Sequence, residues 1–165
     1  MSKIFQPFSI KDITFKNRLG MSPMCQYSAQ DGFANDWHLV HYGTRAVGGI
    51  ALVIVEATGV SPIARITPDD LGLWNDEQVE PLKRIVDFVH LQGSKAGIQI
   101  AHAGRKASHS SPFKGEKQLT LEEGGWETVA PSAVPFRSDE IPPHQLTKSE
   151  IKEVVNQFKN AGFHQ

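Results

Sequence analysis

The chain has 165 residues, 39% hydrophobic and 21% charged, the make-up of a globular protein long enough for one domain. With 17 basic side chains against 18 acidic ones, the net charge of −1 gives no support for binding a nucleic-acid backbone. The longest apolar run, residues 50–55, is far short of a membrane span, the N-terminus does not read as a secretion signal, and Cys25 is the only cysteine, so no intramolecular disulfide forms and a cytoplasmic location fits.

Two short segments, residues 8–10 and 13–16, are separated by Lys11 and Asp12 and suit a small hairpin. An apolar strand is expected over residues 19–24. Asn35 and Asp36 then stand where a helix N-cap belongs, ahead of Trp37, Val40, Tyr42 and Val47, with Gly48 and Gly49 as the stop. Residues 50–55 are apolar on both alternating faces, as in a strand covered on both sides. A second helix is expected over residues 76–92, with Leu82, Ile85, Val86 and Val89 on one face and Gly93 as its stop; Pro81 suggests that the regular part begins there. Residues 97–101 form a third strand, and residues 103–146 read as a long loop. Thr147 and Glu150 form a capping box, Leu146 can staple onto Ile151, and Ile151, Val154, Val155 and Phe158 recur at helical spacing.

Strand and helix alternating three times give an α/β chain with a parallel sheet. Such units build either a small doubly wound sheet or three-eighths of a TIM (β/α)8 barrel, which as a whole needs about 250 residues. The Gly-x-Gly-x-x-Gly and Walker phosphate loops are both absent. Gln99 is the one polar side chain in an apolar strand and must find partners or carry a desolvation cost, so an inward-facing cofactor is a reasonable recipient. His38 and His41 lack an evident third ligand, so they read as packing or helix-surface residues and no metal site is assigned. Trp37, Trp74 and Trp126 are read as packing residues. Taken alone, Cys25 reads as a buried, unreactive thiol and Tyr27 as a half-buried aromatic.

Seven short motifs stand in order along the chain: Lys16-Asn-Arg, Met21-Ser-Pro-Met-Cys-Gln-Tyr27, Val55-Glu-Ala-Thr58, Arg65-Ile-Thr, Gly72-Leu-Trp-Asn-Asp76, Gln99-Ile-Ala-His-Ala-Gly-Arg-Lys106 and Ala130-Pro-Ser-Ala133. Together they resemble the old yellow enzyme family, in the branch of the xenobiotic reductases and thermophilic-like ene-reductases. The resemblance implies a (β/α)8 barrel with FMN at its C-terminal mouth. Residues 1–165 would be the N-terminal part of that single FMN-binding domain: an N-terminal hairpin and the first three βα units, truncated before the fourth strand.

Carried over residue by residue, Ser22, Pro23, Met24 and Cys25 would form the loop along the flavin. Ala57 would be small to admit the ring, and Gln99 would offer its amide to the flavin pyrimidine. Tyr27 would reach toward the substrate, and Cys25 would tune the flavin from beside the ring rather than act as a nucleophile. The roles of His102 and Arg105 stay open. The implied activity is hydride transfer from NAD(P)H through FMN to the activated C=C bond of an enone or enal.

The family's substrate-binding His pair, its tyrosine proton donor and its phosphate site all lie beyond the third unit, and no role is transferred to His164. The alternative is therefore a non-catalytic truncated half-barrel that needs its C-terminal half. A homo-oligomer is a further possibility for a sheet with an unpaired edge. Another FMN-barrel dehydrogenase fits these motifs less well, and one cysteine cannot hold the iron–sulfur cluster of the dienoyl-CoA reductases.

Overall fold

The computed structural model describes residues 2–163, so His164 lies outside the described residues. The chain opens with an antiparallel hairpin, β1 (Phe8–Ile10) and β2 (Ile13–Phe15), whose turn places Lys11 at φ +51°. The Phe8 and Phe15 rings stack across it at 5.0 Å. The main sheet is parallel in the order β3 (Gly20–Met21), β4 (Leu52–Gly59), β5 (Lys95–Ala101). Helix α1 (Asp36–Val47) links β3 to β4, and α2 (Val79–Leu91) links β4 to β5.

Strand boundaries differ from the expectation by one or two residues at several ends, β5 for instance starting at Lys95 and β4 at Leu52, and by more at two. The first strand keeps only two ladder residues, because Ser22 to Cys25 leave the sheet as an irregular loop and Pro23 can donate no ladder bond. Strand β4 runs four residues beyond Val55 and takes in Glu56, Ala57 and Thr58. It does so through a bulge between Val55 and Ala57 that re-aims the side chains at the end of the strand.

The helix caps hold, but the second helix becomes regular at Val79, two residues ahead of the expected start at Pro81. Asn35 accepts the Trp37 N–H at 3.1 Å, and the His38 ring accepts the Asn35 N–H at 3.1 Å, closing a capping box with a histidine in the usual glutamate position. Helix α2 is preceded by a 3-10 turn (Asp76–Gln78), and Pro81 sits in its first turn, where a missing N–H costs nothing. Gly93 takes φ +70° at its exit. Helix α3 (Lys148–Phe163) starts on the expected box, with Glu150 accepting the Thr147 N–H at 2.7 Å and Thr147 accepting the Glu150 N–H at 3.3 Å.

Met21, Val53 and Val55 of the sheet pack with Tyr42 and Ala46 of α1 and with Leu82, Ile85 and Val89 of α2 as the main core, joined by Ala96 and Ile98. A smaller cluster joins Ile100 of β5 to Phe158 and Ala161 of α3. The remaining apolar face of α3 is poorly covered, with Ile151 42% and Val155 62% exposed beside a groove of about 550 Å3.

The segment 103–146 is more ordered than a loop reading implies. It carries three 3-10 turns and a short parallel pair, β6 (Val129–Ala130) with β7 (His144–Gln145). Buried His109 pins it from inside, with one ring nitrogen 2.8 Å from the Ala107 carbonyl and the other 2.9 Å from Glu140.

The histidines of α1 are both buried, which fits packing and not a helix surface, and no group that could hold a metal exists among the described residues. Trp37 corrects its packing assignment. It is 55% exposed, and its indole N–H reaches the Gln26 side chain at 3.3 Å. No helix among the described residues is long and apolar enough to cross a membrane.

Candidate active site

Alternation along β4 and β5 separates two faces. Val53, Val55, Ala96 and Ile98 turn toward the helices and join the core, whereas Leu52, Ile54, Gly97 and Gln99 lie on the opposite face. The bulge restores Ala57 to that second face, where it pairs with Gln99. Gln99 is exposed there, and its amide has no hydrogen-bond partner among the described residues. A small residue beside a free amide makes a surface on which a flat ligand with polar edges can lie.

The loop after β3 borders the same end of the sheet. Ser22 and Met24 are exposed, while Pro23 and Cys25 are partly covered. The Cys25 thiol lies against the Ala57 main chain. Burial first, and then the carboxyls of Asp70 and Glu56, push it up to about 11, so it stays protonated at neutral pH and has no thiolate to attack with. Tyr27 takes the left-handed φ of +51°, which turns its ring out of the loop to meet Phe113 edge-on at 6.4 Å. It borders a cavity of about 190 Å3 shared with Thr67, His109 and Phe136. Burial raises its phenol, with Cys25 and Asp70 adding to the effect, so the hydroxyl remains a donor.

The structure thus brings Cys25, Ala57 and Gln99 together at the C-terminal end of the sheet, with Tyr27 at the rim. His102 and Arg105 turn off behind β5 and line the groove beside α3.

Two residues of this region carry no role in the sequence reading. Glu56 is fully buried and accepts the Gln26 N–H at 2.9 Å, and Tyr42 donates to its other oxygen at 2.5 Å. The signal that singles out Gln99, a polar side chain inside a strand, applies to Glu56 only once the strand is seen to run past Val55. Beyond the strand, Arg65 lies between two indoles, 5.2 Å from Trp74 and 5.3 Å from Trp126, which explains why those tryptophans are held.

Residues 3–163 match the NADH:flavin oxidoreductase / NADH oxidase family. An NADPH dehydrogenase of Listeria monocytogenes is 52% identical over 165 residues, which is 99% of this chain and 44% of that protein. Among solved structures, an old yellow enzyme from Pichia matches with a TM-score of 0.82 at 29% identity, over 98% of this chain and 42% of its own. Morphinone reductase in complex with tetrahydroNAD matches with a TM-score of 0.81 at 26% identity, over 99% of this chain and 46% of its own. The chain thus spans less than half the length of the relatives it matches. It belongs to the NADH:flavin oxidoreductase / NADH oxidase family of FMN-type oxidoreductases and carries the first three βα units of their (β/α)8 barrel.

Proposed function

We propose that residues 1–165 form the N-terminal part of a single FMN-binding barrel domain and supply one side of the flavin site of a cytoplasmic ene-reductase. The observation that carries the reading is the unpartnered Gln99 amide beside Ala57, at the edge where Cys25 and Tyr27 also lie. Bound FMN supplies hydride transfer from NAD(P)H to the activated C=C bond of an enone or enal.

The residues of this chain bind and orient. Ser22, Pro23, Met24 and Cys25 line the ring with main chain, and Ala57 leaves room for it. Gln99 offers one donor and one acceptor to a ring edge that presents both. Tyr27 keeps a protonated hydroxyl toward the substrate. The neutral Cys25 thiol tunes the flavin without forming a covalent bond to it. The tetrahydroNAD in the morphinone reductase complex supports a nicotinamide reductant here.

The exposed apolar face of α3 favours a second reading beside this one, in which the isolated chain is a non-catalytic half-barrel. FMN titration followed by desalting, with NADPH consumption measured in the presence of an enone, separates the two. We expect weak flavin binding and little or no turnover from the chain alone. Tight stoichiometric FMN with full ene-reductase turnover would overturn the half-barrel reading; no flavin binding in any longer form of the protein would overturn the enzyme reading.

Gln99→Leu is expected to weaken FMN binding by about 1–3 kcal/mol, the loss typical of hydrogen bonds removed from one side of a polar edge. Unchanged flavin affinity by fluorescence titration would remove Gln99 from the site.

A further inference from the structure

Glu56 is fully buried, and the mechanism above leaves it without a task. Burial ahead of every other cause pushes its carboxyl up to about 7, so its place there carries a cost that its contacts must answer. Those contacts form a bridge between two elements. One carboxyl oxygen accepts the Gln26 N–H at 2.9 Å, in the loop between Cys25 and Tyr27. The other accepts the Tyr42 hydroxyl of α1 at 2.5 Å, and that hydroxyl in turn accepts the Glu56 N–H at 3.0 Å.

His38 completes the surroundings. Its Nδ1 meets the Asn35 N–H at 3.1 Å and the Asn35 side-chain oxygen at 3.0 Å, while its Nε2 has no hydrogen-bond partner and lies 4.0 Å from the Gln26-bound oxygen of Glu56. Burial holds the ring far below its usual range, near 4, so it remains neutral and offers a dipole instead of a charge. Asp70 is the charged group that Glu56 feels, and it opposes the carboxylate.

The Val55–Ala57 bulge is what allows this bridge. Val55 keeps its place in the helix-facing core, Glu56 reaches Tyr42, and Ala57 still returns to the open face opposite Gln99. One inserted residue therefore fixes both the small floor of the site and the tether of its loop.

We propose that Glu56 is the positioning residue of this site: through Gln26 and Tyr42 it ties the Cys25–Tyr27 loop to β4 and α1, and so sets where the thiol and the phenol stand. It touches neither cofactor nor substrate. Its consequence for flavin rests on the function proposed above, but the tether itself can be tested without flavin.

Cys25 is the only thiol in the chain, so alkylation by iodoacetamide reports on that loop alone. The rate is measured from about pH 7 to 10, where it follows the small thiolate fraction. Three proteins are compared, the parent, Glu56→Gln and Glu56→Ala, with circular dichroism confirming that each is folded. Glu56→Gln removes the charge that raises the thiol but keeps an acceptor for Gln26, so its rate is expected to rise a few-fold above about pH 8, where the Glu56 carboxyl is ionised, and by less at pH 7. Glu56→Ala removes the tether as well and is expected to react about tenfold faster than Glu56→Gln, as the loop opens more often once its charged hydrogen bond is lost. Equal rates for Glu56→Gln and Glu56→Ala would mean that only the charge matters, which overturns the proposal. Three equal rates would overturn it too. Should Glu56→Ala fail to fold, Tyr42→Phe replaces it, since that change breaks the bridge to α1 while sparing the carboxylate; a rate no higher than the parent's then overturns the tether. In flavin titrations of folded variants, weaker FMN binding in Glu56→Ala with faster alkylation supports the link to the site. Faster alkylation with unchanged FMN binding would leave the tether standing and overturn its functional consequence.

Discussion

Replacing Glu56 by Gln is expected to make the protein more stable above neutral pH, by an amount that grows as the pH rises toward 7 and then holds. Burial lifts the Glu56 carboxyl from its ordinary 4.5 to about 7 in the folded chain. Below pH 4.5 the group is protonated in both folded and unfolded chains and costs nothing extra. Between 4.5 and 7 the unfolded chain releases its proton while the folded chain holds it, so stability falls as the pH rises, and the loss levels off once the folded group ionises. At about 1.4 kcal/mol for each pH unit across that interval, the full loss is on the order of 3 kcal/mol. The Gln amide has no charge to desolvate, but its N–H2 must find acceptors near Tyr42 and His38, so a net gain of about 1–3 kcal/mol at pH 8 is expected. Urea unfolding of both proteins at several pH values between 4 and 9 measures it. Asp70, raised by burial as well, leaves a residual slope of the same sign in the variant. Parallel stability profiles for parent and variant would show that Glu56 is not ionising in a buried site.

Much of this arrangement is legible in the residues, and what is not has physical reasons. Helix starts are readable because caps are local chemistry, and Asn35, Thr147 and Glu150 act as their positions suggest. Gln99 can be singled out because alternation in β5 fixes its face without knowledge of any neighbour. Strand β4 is harder. A bulge is a property of pairing between two strands, so the run ending at Val55 gives no sign that the ladder continues to Gly59. Glu56 escapes notice for the same reason, since its partners Gln26 and Tyr42 lie 30 and 14 residues away. Trp37 departs from its expected packing role because α1 turns it outward over the Gln26 side chain, and nothing in its own neighbourhood of the sequence signals that face. The long segment 103–146 looks like a loop because its order comes from isolated buried contacts such as His109 with Glu140, which leave no periodicity to detect.

Gly72→Ala is expected to cost about 3 kcal/mol, the upper part of the range for overpacking a well-filled site. A methyl at this position would stand 1.9 Å from the Trp74 ring at Cζ3 and 2.5 Å from two further ring atoms. Trp74 is not free to give way. A side chain at Gly32 would meet its far edge at 2.5 Å, so the ring already rests on that main chain, and the Arg65 guanidinium stacks over it at 5.2 Å. The Gly72 main chain is fixed as well, because its N–H donates to the Gly32 carbonyl at 2.9 Å while its neighbours Leu71 and Leu73 bond to Gly59 at the end of β4, one accepting and the other donating. The ring must therefore leave, taking the Arg65 stack with it and loosening the strand end that carries Ala57. Urea unfolding gives the cost, and a red shift of tryptophan emission reports the expelled ring. Gly162→Ala serves as the comparison: nothing lies within 4 Å of its added methyl, and alanine in helix α3 should be neutral or stabilising by up to about 1 kcal/mol. The decisive measurement is the double variant. If the clash with Trp74 is the cause, Gly72→Ala combined with Trp74→Ala costs clearly less than the sum of the two single changes, since removing the ring removes the obstacle. Additive costs, or a Gly72→Ala protein as stable as its parent, would show that the Gly72-Leu-Trp motif is not the packing device that holds Arg65 and the end of β4 in place.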